Sequence, residues 1–344
     1  MERMSLAQVA SKFSDEAAAW EYVEAIRWQG VPICPRCSSL DVTFIPPRSK
    51  STRTTRTGAP TYRRLWYCRY CKRQFSCLIG TIFEGSKIPL RKWVMGIYLM
   101  VAGKNGCSAM ELQRDLEITY KSAWFMVHRI REAMAHSPNG KMRGIIVADE
   151  TWVGGNPEYQ HASRRAKRAP FTTDKAIVVS VVNKLTGETR SEVVPNVRSH
   201  NIRRVITKNV EPYGSVLQTD SALHYHQIGT KFTKHESVNH DAGEYVGPTG
   251  ATTNHVENFF SQFKRSLDGT YHCVSREHLG RYAHEFDFRA STRKMADGDR
   301  GAEVFDRAAG AYISYQSLIS AGPVAQKSRR KPPGRPGPRR ATLS

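Results

Sequence analysis

Apolar positions along the chain recur with a helical period in some stretches and as short continuous runs in others. The clearest helical stripe lies in residues 252–271, TTNHVENFFSQFKRSLDGTY, where Val256, Phe259, Phe260, Phe263 and Leu267 fall three to four residues apart. Asn254 suits the N-cap of this helix, which puts Glu257 at its third position, where a glutamate often serves only the helix end. Lys264 follows two turns later on the same side, with Arg265 beside it. Residues 14–27 predict a short helix capped by Ser14, with Asp15 and Glu16 in its first turn and Gly30 past its end. After Pro89 three helices are expected: 90–102, 108–116 opened by the capping box Ser108-x-x-Glu111, and 119–135 capped by Thr119. In the last, Ala123, Val127 and Ile130 make the inner face, and Lys121, His128, Arg129 and Arg131 are expected to spread outward. A short helix, a turn and a long basic helix predict a helix-turn-helix, residues 88–136. Three packed helices also occur as a plain linker.

Strand-like runs begin after the break at Ser137-Pro138-Asn139-Gly140. Residues 143–148, RGIIVA, end at Asp149-Glu150; 176–182 and 189–194 form a hairpin around turn residues 183–187; 216–219 end at Asp220-Ser221. Residues 199–209 look helical, and 159–175, with Arg164 and Arg165, look like a basic loop. Strands with helices packed on them make an α/β layer domain, residues 141–300, followed by a helix in 301–320. Residues 321–344 hold seven basic residues, no acidic ones and five prolines, a composition expected to be disordered; Arg335 sits in its Gly-Arg-Pro stretch.

Charge narrows the function classes. The chain has 344 residues and a formal net charge of +21, with basic residues recurring in blocks, so a polyanion is the expected partner, nucleic acid first and a membrane surface as the rival. No apolar run approaches the length of a membrane span, and the N-terminus has no export signal, so a cytoplasmic protein is expected. Seven cysteines, an odd number, include Cys34-x-x-Cys37 and Cys68-x-x-Cys71, two knuckles able to complete one tetrahedral structural Zn²⁺ site. The zinc ribbon would span 31–80, behind an N-terminal helical segment, 1–30. Its excess length falls in a basic insertion, 46–60, with Arg53 and Arg56.

Two strands ending in an aspartate, Asp149 and Asp220, and a helix opening with Glu257 offer three oxygen-donor carboxylates. Such a set can hold a pair of Mg²⁺ (or Mn²⁺) ions for phosphodiester chemistry, and Lys264 can hold a phosphate. The strings CPRC, YCRYCKRQFS, TIFEGSKIPLRKW, ADETWVGG, LQTDSALHYH, VNHDAGEYV and NHVENFFSQFKRSLDGTYHCVS occur in that order. By these motifs the chain resembles, from Trp28 to about Arg293, the DDE transposases of zinc-ribbon insertion sequences, the ISXO-like group. The resemblance implies an RNase H-like catalytic domain (a mixed sheet flanked by helices), with Asp149, Asp220 and Glu257 as metal-binding acids and Lys264 as the basic residue two turns on. It further implies cleavage and joining of inverted-repeat ends to target DNA, by an oligomer of at least two copies in the bacterial cytoplasm, nucleoid-associated when bound. Lys121, Arg129, Arg53, Arg56, Arg164, Arg165, Lys264, Arg265 and Arg335 are the expected DNA contacts. His240 also lies in a family string, without an assigned role. A DNA-binding regulator with an inert domain and a host nuclease of the same superfamily are the alternatives.

Overall fold

A computed structural model describes residues 5–46, 62–135, 140–154, 175–239, 246–247, 250–272 and 274–320. Arg53, Arg56, Arg164, Arg165, His240, Arg335 and nearly all of the basic insertion lie outside the described residues.

The chain starts with two helices, α1 (Leu6–Lys12) and α2 (Glu16–Trp28). The first was not evident in the sequence; Ser5 and Gln8 close a capping box around it. The second begins after Asp15, one residue later than Ser14 suggests. A three-stranded antiparallel sheet follows: β1 (Val42–Ile45), β2 (Leu65–Cys68) and β3 (Arg73–Phe75). It sits on α2 through aromatic contacts of Trp28 with Trp66 and Phe75 and through Glu24, which accepts from Arg64 Nε at 2.9 Å and Trp66 Nε1 at 3.0 Å.

Helices α3 (Leu90–Ala102), α4 (Ala109–Leu116) and α5 (Tyr120–Ala135) stand where the periodicity puts them, with the predicted caps at Ser108 and Thr119 formed. Their burial differs from expectation. Past Lys121 no residue of α5 is exposed, and His128, Arg129 and Arg131 are buried rather than turned outward. The reason lies at the far end of the chain. The later helices α9 (Arg276–Ser291), α10 (Asp297–Arg307) and α11 (Tyr315–Ile319) wrap this unit, and Phe288, Val304 and Phe305 join its core.

The second half is built on a five-stranded mixed sheet. Its strands are β4 (Ile145–Val153), β5 (Ala176–Asn183), β6 (Thr189–Val194), β7 (Val216–Asp220) and β8 (Lys234–Val238), in the order β6-β5-β4-β7-β8. β4 runs antiparallel to β5 and parallel to β7. As the central strand it is covered on both faces, which accounts for the unbroken apolar run Ile145–Ala148. On one face Ile146, Ala148, Val179, Val181 and Leu217 pack against α6 (Ser199–Asn209) and α7 (Leu223–Gly229). On the other, Val147, Val178 and Val182 meet Val256, Phe259, Phe260 and Phe263 of α8 (Asn254–Ser266), together with α9.

Candidate active site

Strand parity decides which acids can meet. Side chains alternate along β4, and Val147 lies on the α8 face while Ile146 and Ala148 lie on the α7 face. Asp149 therefore faces α8 and Glu150 faces α7. The parallel ladder pairs Ile145 with Val216 and Val147 with Gln218, a constant offset of 71 (216 − 145). The same offset carries Asp149 to Asp220 (220 − 149). Leu217 is on the α7 face, so Gln218 and Asp220 share the α8 face with Asp149. Each aspartate is also held by a backbone N–H: Glu150 N donates to Asp149 Oδ1 at 2.8 Å, and Ala222 N donates to Asp220 Oδ1 at 3.1 Å.

Glu257 sits in the first turn of α8, whose cap residue is Thr253 rather than Asn254. It is the fourth helical residue, and its Oε1 accepts from the Thr253 hydroxyl. Lys264 and Arg265 are exposed in the last turn, with Lys264 two turns from Glu257. Burial pushes the Asp149 carboxyl up to about 7; the Glu150 N–H opposes this, and the charges of Glu150, Asp220 and Glu257 add to it. Three like charges acting on one buried carboxyl make an arrangement that a divalent cation would relieve, and all the donors are hard oxygens, which suits Mg²⁺ or Mn²⁺. Among the described residues these acids are not drawn as close together as the cysteine ligands described next.

Cys34 and Cys37 precede β1, Cys68 ends β2, and Cys71 lies in the turn to β3. All four Sγ atoms lie within 4.8 Å of one another, with Cys34 to Cys71 at 3.8 Å and Cys37 to Cys68 at 3.5 Å. A tetrahedral zinc with Zn–S bonds near 2.3 Å needs sulfur–sulfur edges of about 3.8 Å, so the four thiols fit one Zn²⁺ closely. The Cys71 N–H, 3.5 Å from Cys68 Sγ, lowers that thiol toward the thiolate, the form that binds metal.

The expected DNA contacts divide. Lys121 is exposed, its ammonium 4.5 Å from the centre of the Tyr315 ring. Arg129 is corrected: 3% exposed, its guanidinium donates to the carbonyls of Ile82 at 2.7 Å and Glu84 at 2.9 Å, so it ties the segment before α3 to α5 and has no donor face for DNA. His128 is buried among Trp124, His278 and Tyr282, where burial and then Arg131 hold it down to about 2, so it is uncharged at neutral pH.

Two features were not anticipated from sequence. Tyr225 donates to Glu150 Oε2 at 2.6 Å behind Asp149. On the α8 face, Asp149 pairs across the ladder with Ser180 and Ser180 with Ser191. Asp287 of α9 closes that row through Ser191 N (2.8 Å) and Ser191 Oγ (2.6 Å). The polar Ser180 inside the hydrophobic run AIVVSVV was the available signal.

Residues 141–291 match the ISXO2-like transposase domain and residues 14–74 the transposase zinc-ribbon domain. An uncharacterized protein in transposable element ISH50 of Halobacterium salinarum is 25% identical over 288 residues, covering 80% of this chain and 91% of that protein. Among the described residues no helix is long and apolar enough to cross a membrane.

Proposed function

Because the chain belongs to the zinc-ribbon, ISXO2-like transposases, we propose that it binds the terminal inverted repeats of its element, cuts the DNA there and joins the 3′ ends to target DNA. The observation that carries this reading is the shared register of Asp149 and Asp220 on the face covered by the Glu257 helix. In this reading Asp149, Asp220 and Glu257 hold two Mg²⁺ or Mn²⁺ ions. Bound there, the ions would supply Lewis acidity for in-line displacement at a phosphodiester. The chain's own contribution is positional. Backbone N–H groups aim Asp149 and Asp220, Thr253 steadies Glu257, and Lys264 with Arg265 holds the DNA backbone by charge. A mixed sheet with helices on both faces supports the RNase H-like assignment for this half.

The zinc ribbon is a structural module, stabilised by one Zn²⁺. With the body of α5 buried, its exposed first turn at Tyr120 and Lys121 is the part of the helix-turn-helix available to base edges, the end a recognition helix normally presents. The protein acts on double-stranded DNA as an oligomer of at least two copies, in the cytoplasm.

The test is a cleavage and strand-transfer assay with purified protein, a labelled duplex carrying the element's end, and Mg²⁺ or Mn²⁺. The expected result is a metal-dependent nick at the element end that disappears in Glu257→Gln and Asp149→Asn, with DNA affinity largely kept. Tight, salt-sensitive binding with no cleavage under either metal would instead make the chain a DNA-binding regulator.

A further inference from the structure

The ladder between β4 and β7 ends at Val147 and Gln218, two residues short of Asp149 and Asp220. Each aspartate is still paired on its outer side, Asp149 with Ser180 and Asp220 with Val238, but no direct β4–β7 pairing joins the two, so a contact beyond that ladder can set their spacing. Glu150 follows Asp149 and points to the opposite face, where its side chain is 7% exposed. Its Oε2 accepts from the Tyr225 hydroxyl at 2.6 Å, and its Oε1 lies 3.4 Å from His224 Nε2. Tyr225 is fully buried among Ile146, Ala148 and Leu217. His224 and Tyr225 belong to the first turn of α7, the helix that follows the turn Asp220 makes to Ala222 N. One hydrogen bond thus joins the residue after Asp149 to the helix after Asp220.

We propose that Glu150 and Tyr225 are positioning residues that set the spacing of the Asp149 and Asp220 carboxylates, as a cross-tie on the back of the sheet. The tie suits its purpose physically. A phenol on a fully buried ring has few alternative positions, and a carboxyl taken out of water strongly favours a hydrogen-bond donor. The residue beside Asp149 that looks like a spare acid is thus committed to holding the middle of β4 against α7. The inference rests on the proposed role of Asp149 and Asp220 as metal ligands.

The experiment measures Mn²⁺ binding to the full chain by titration without DNA, thermal stability, and kcat and KM for end cleavage. Tyr225→Phe removes one hydroxyl and keeps the packing. The expected result is a Mn²⁺ affinity weaker by roughly ten- to a hundredfold, the usual effect of losing a group that orients a ligand, with kcat reduced and KM for DNA unchanged. Glu150→Gln, which keeps an acceptor for the phenol, should remain close to wild type, and Glu150→Ala should match Tyr225→Phe. Wild-type Mn²⁺ affinity in Tyr225→Phe would overturn the proposal, even if Glu150→Ala fails to fold. A loss in Glu150→Gln equal to that in Asp149→Asn would also overturn it, by making Glu150 a ligand itself. Mn²⁺ binding that Asp149→Asn leaves intact would mean that the metal-site reading had failed, taking the cross-tie with it; intact binding in Tyr225→Phe alone would refute only the cross-tie.

Discussion

Asp287 shows how a single side chain carries both structure and a pH response. It is 8% exposed, and its carboxyl accepts twice from Ser191, whose hydroxyl also lies 2.7 Å from Ser180 Oγ. Burial pushes it up to about 7, with the Ser191 bonds opposing. The folded state therefore holds this proton more tightly than the unfolded chain does. The stability tied to it is fully present below the ordinary aspartate value and is lost as pH rises through about 7. Asp287→Asn removes that dependence. The wild type should lose stability relative to the variant as pH rises from about 4 to about 7, by an amount on the order of a few kcal/mol, and the difference should level off above that range. Urea unfolding of both proteins across this window checks it; parallel curves would show that Asp287 does not titrate there.

The elements divide into those held by their own sequence and those held by neighbours. The zinc ribbon is the first kind only with its metal. β1 and β3 are four and three residues long, too short to stand without a cross-link. Cys34→Ser should lower the zinc content from about one per chain and loosen residues 31–80, read by metal analysis and by proteolysis of the N-terminal region. Unchanged zinc in that variant would count against a four-cysteine site. Helix α5 is the second kind. Its caps and its Ala123, Val127 and Ile130 stripe are local, but its other faces are filled by the chain's C-terminal helices. Lys121 and Arg129 differ by two turns in position and completely in environment, one on the surface and one bonded to carbonyls.

At the scale of the molecule, one buried network joins the helical unit to the sheet half. Glu285 of α9 accepts from Arg131 Nε at 2.7 Å, Arg289 Nη2 at 2.8 Å and the Tyr271 hydroxyl at 2.7 Å. Tyr271 ends the π-helical turn Leu267–Tyr271, which continues α8 beyond Lys264. Arg289 also donates to the carbonyls of Met100 and Gly103 at the end of α3. Gly106, at φ +90°, passes so close that a Cβ there would run into the Tyr271 hydroxyl. Burial alone would push the Glu285 carboxyl up, but Arg131 and Arg289 outweigh it and hold it low. The helix bearing Glu257 and Lys264 is in this way anchored to α3, α5 and α9 together. Glu285→Ala leaves two arginines buried without their partner, so unfolding should be easier by about 3–5 kcal/mol, measurable by denaturant titration. A change below about 1 kcal/mol would mean that water or relaxation replaces the network.

Much of this protein is local, and local features are legible in a sequence. The C-x-x-C pairs bring thiols together because two residues between cysteines make a knuckle. The Ser108 and Thr119 caps, the apolar stripe of α8 and the run that ends at Asp149 follow from periods of 3.6 and 2, which no distant contact needs to supply. Tertiary structure decided the rest. Whether Arg129 faces solvent depends on helices that lie more than 140 residues further along the chain. Whether Asp149 or Glu150 faces α8 depends on which side of the sheet that helix packs. The placing of Asp149 and Asp220 on one face at matching positions came from the register of two parallel strands separated by α6, and β5 and β6 as well. A strand's own sequence specifies its alternation, while its partner and the covered face are set by packing the whole sheet at once.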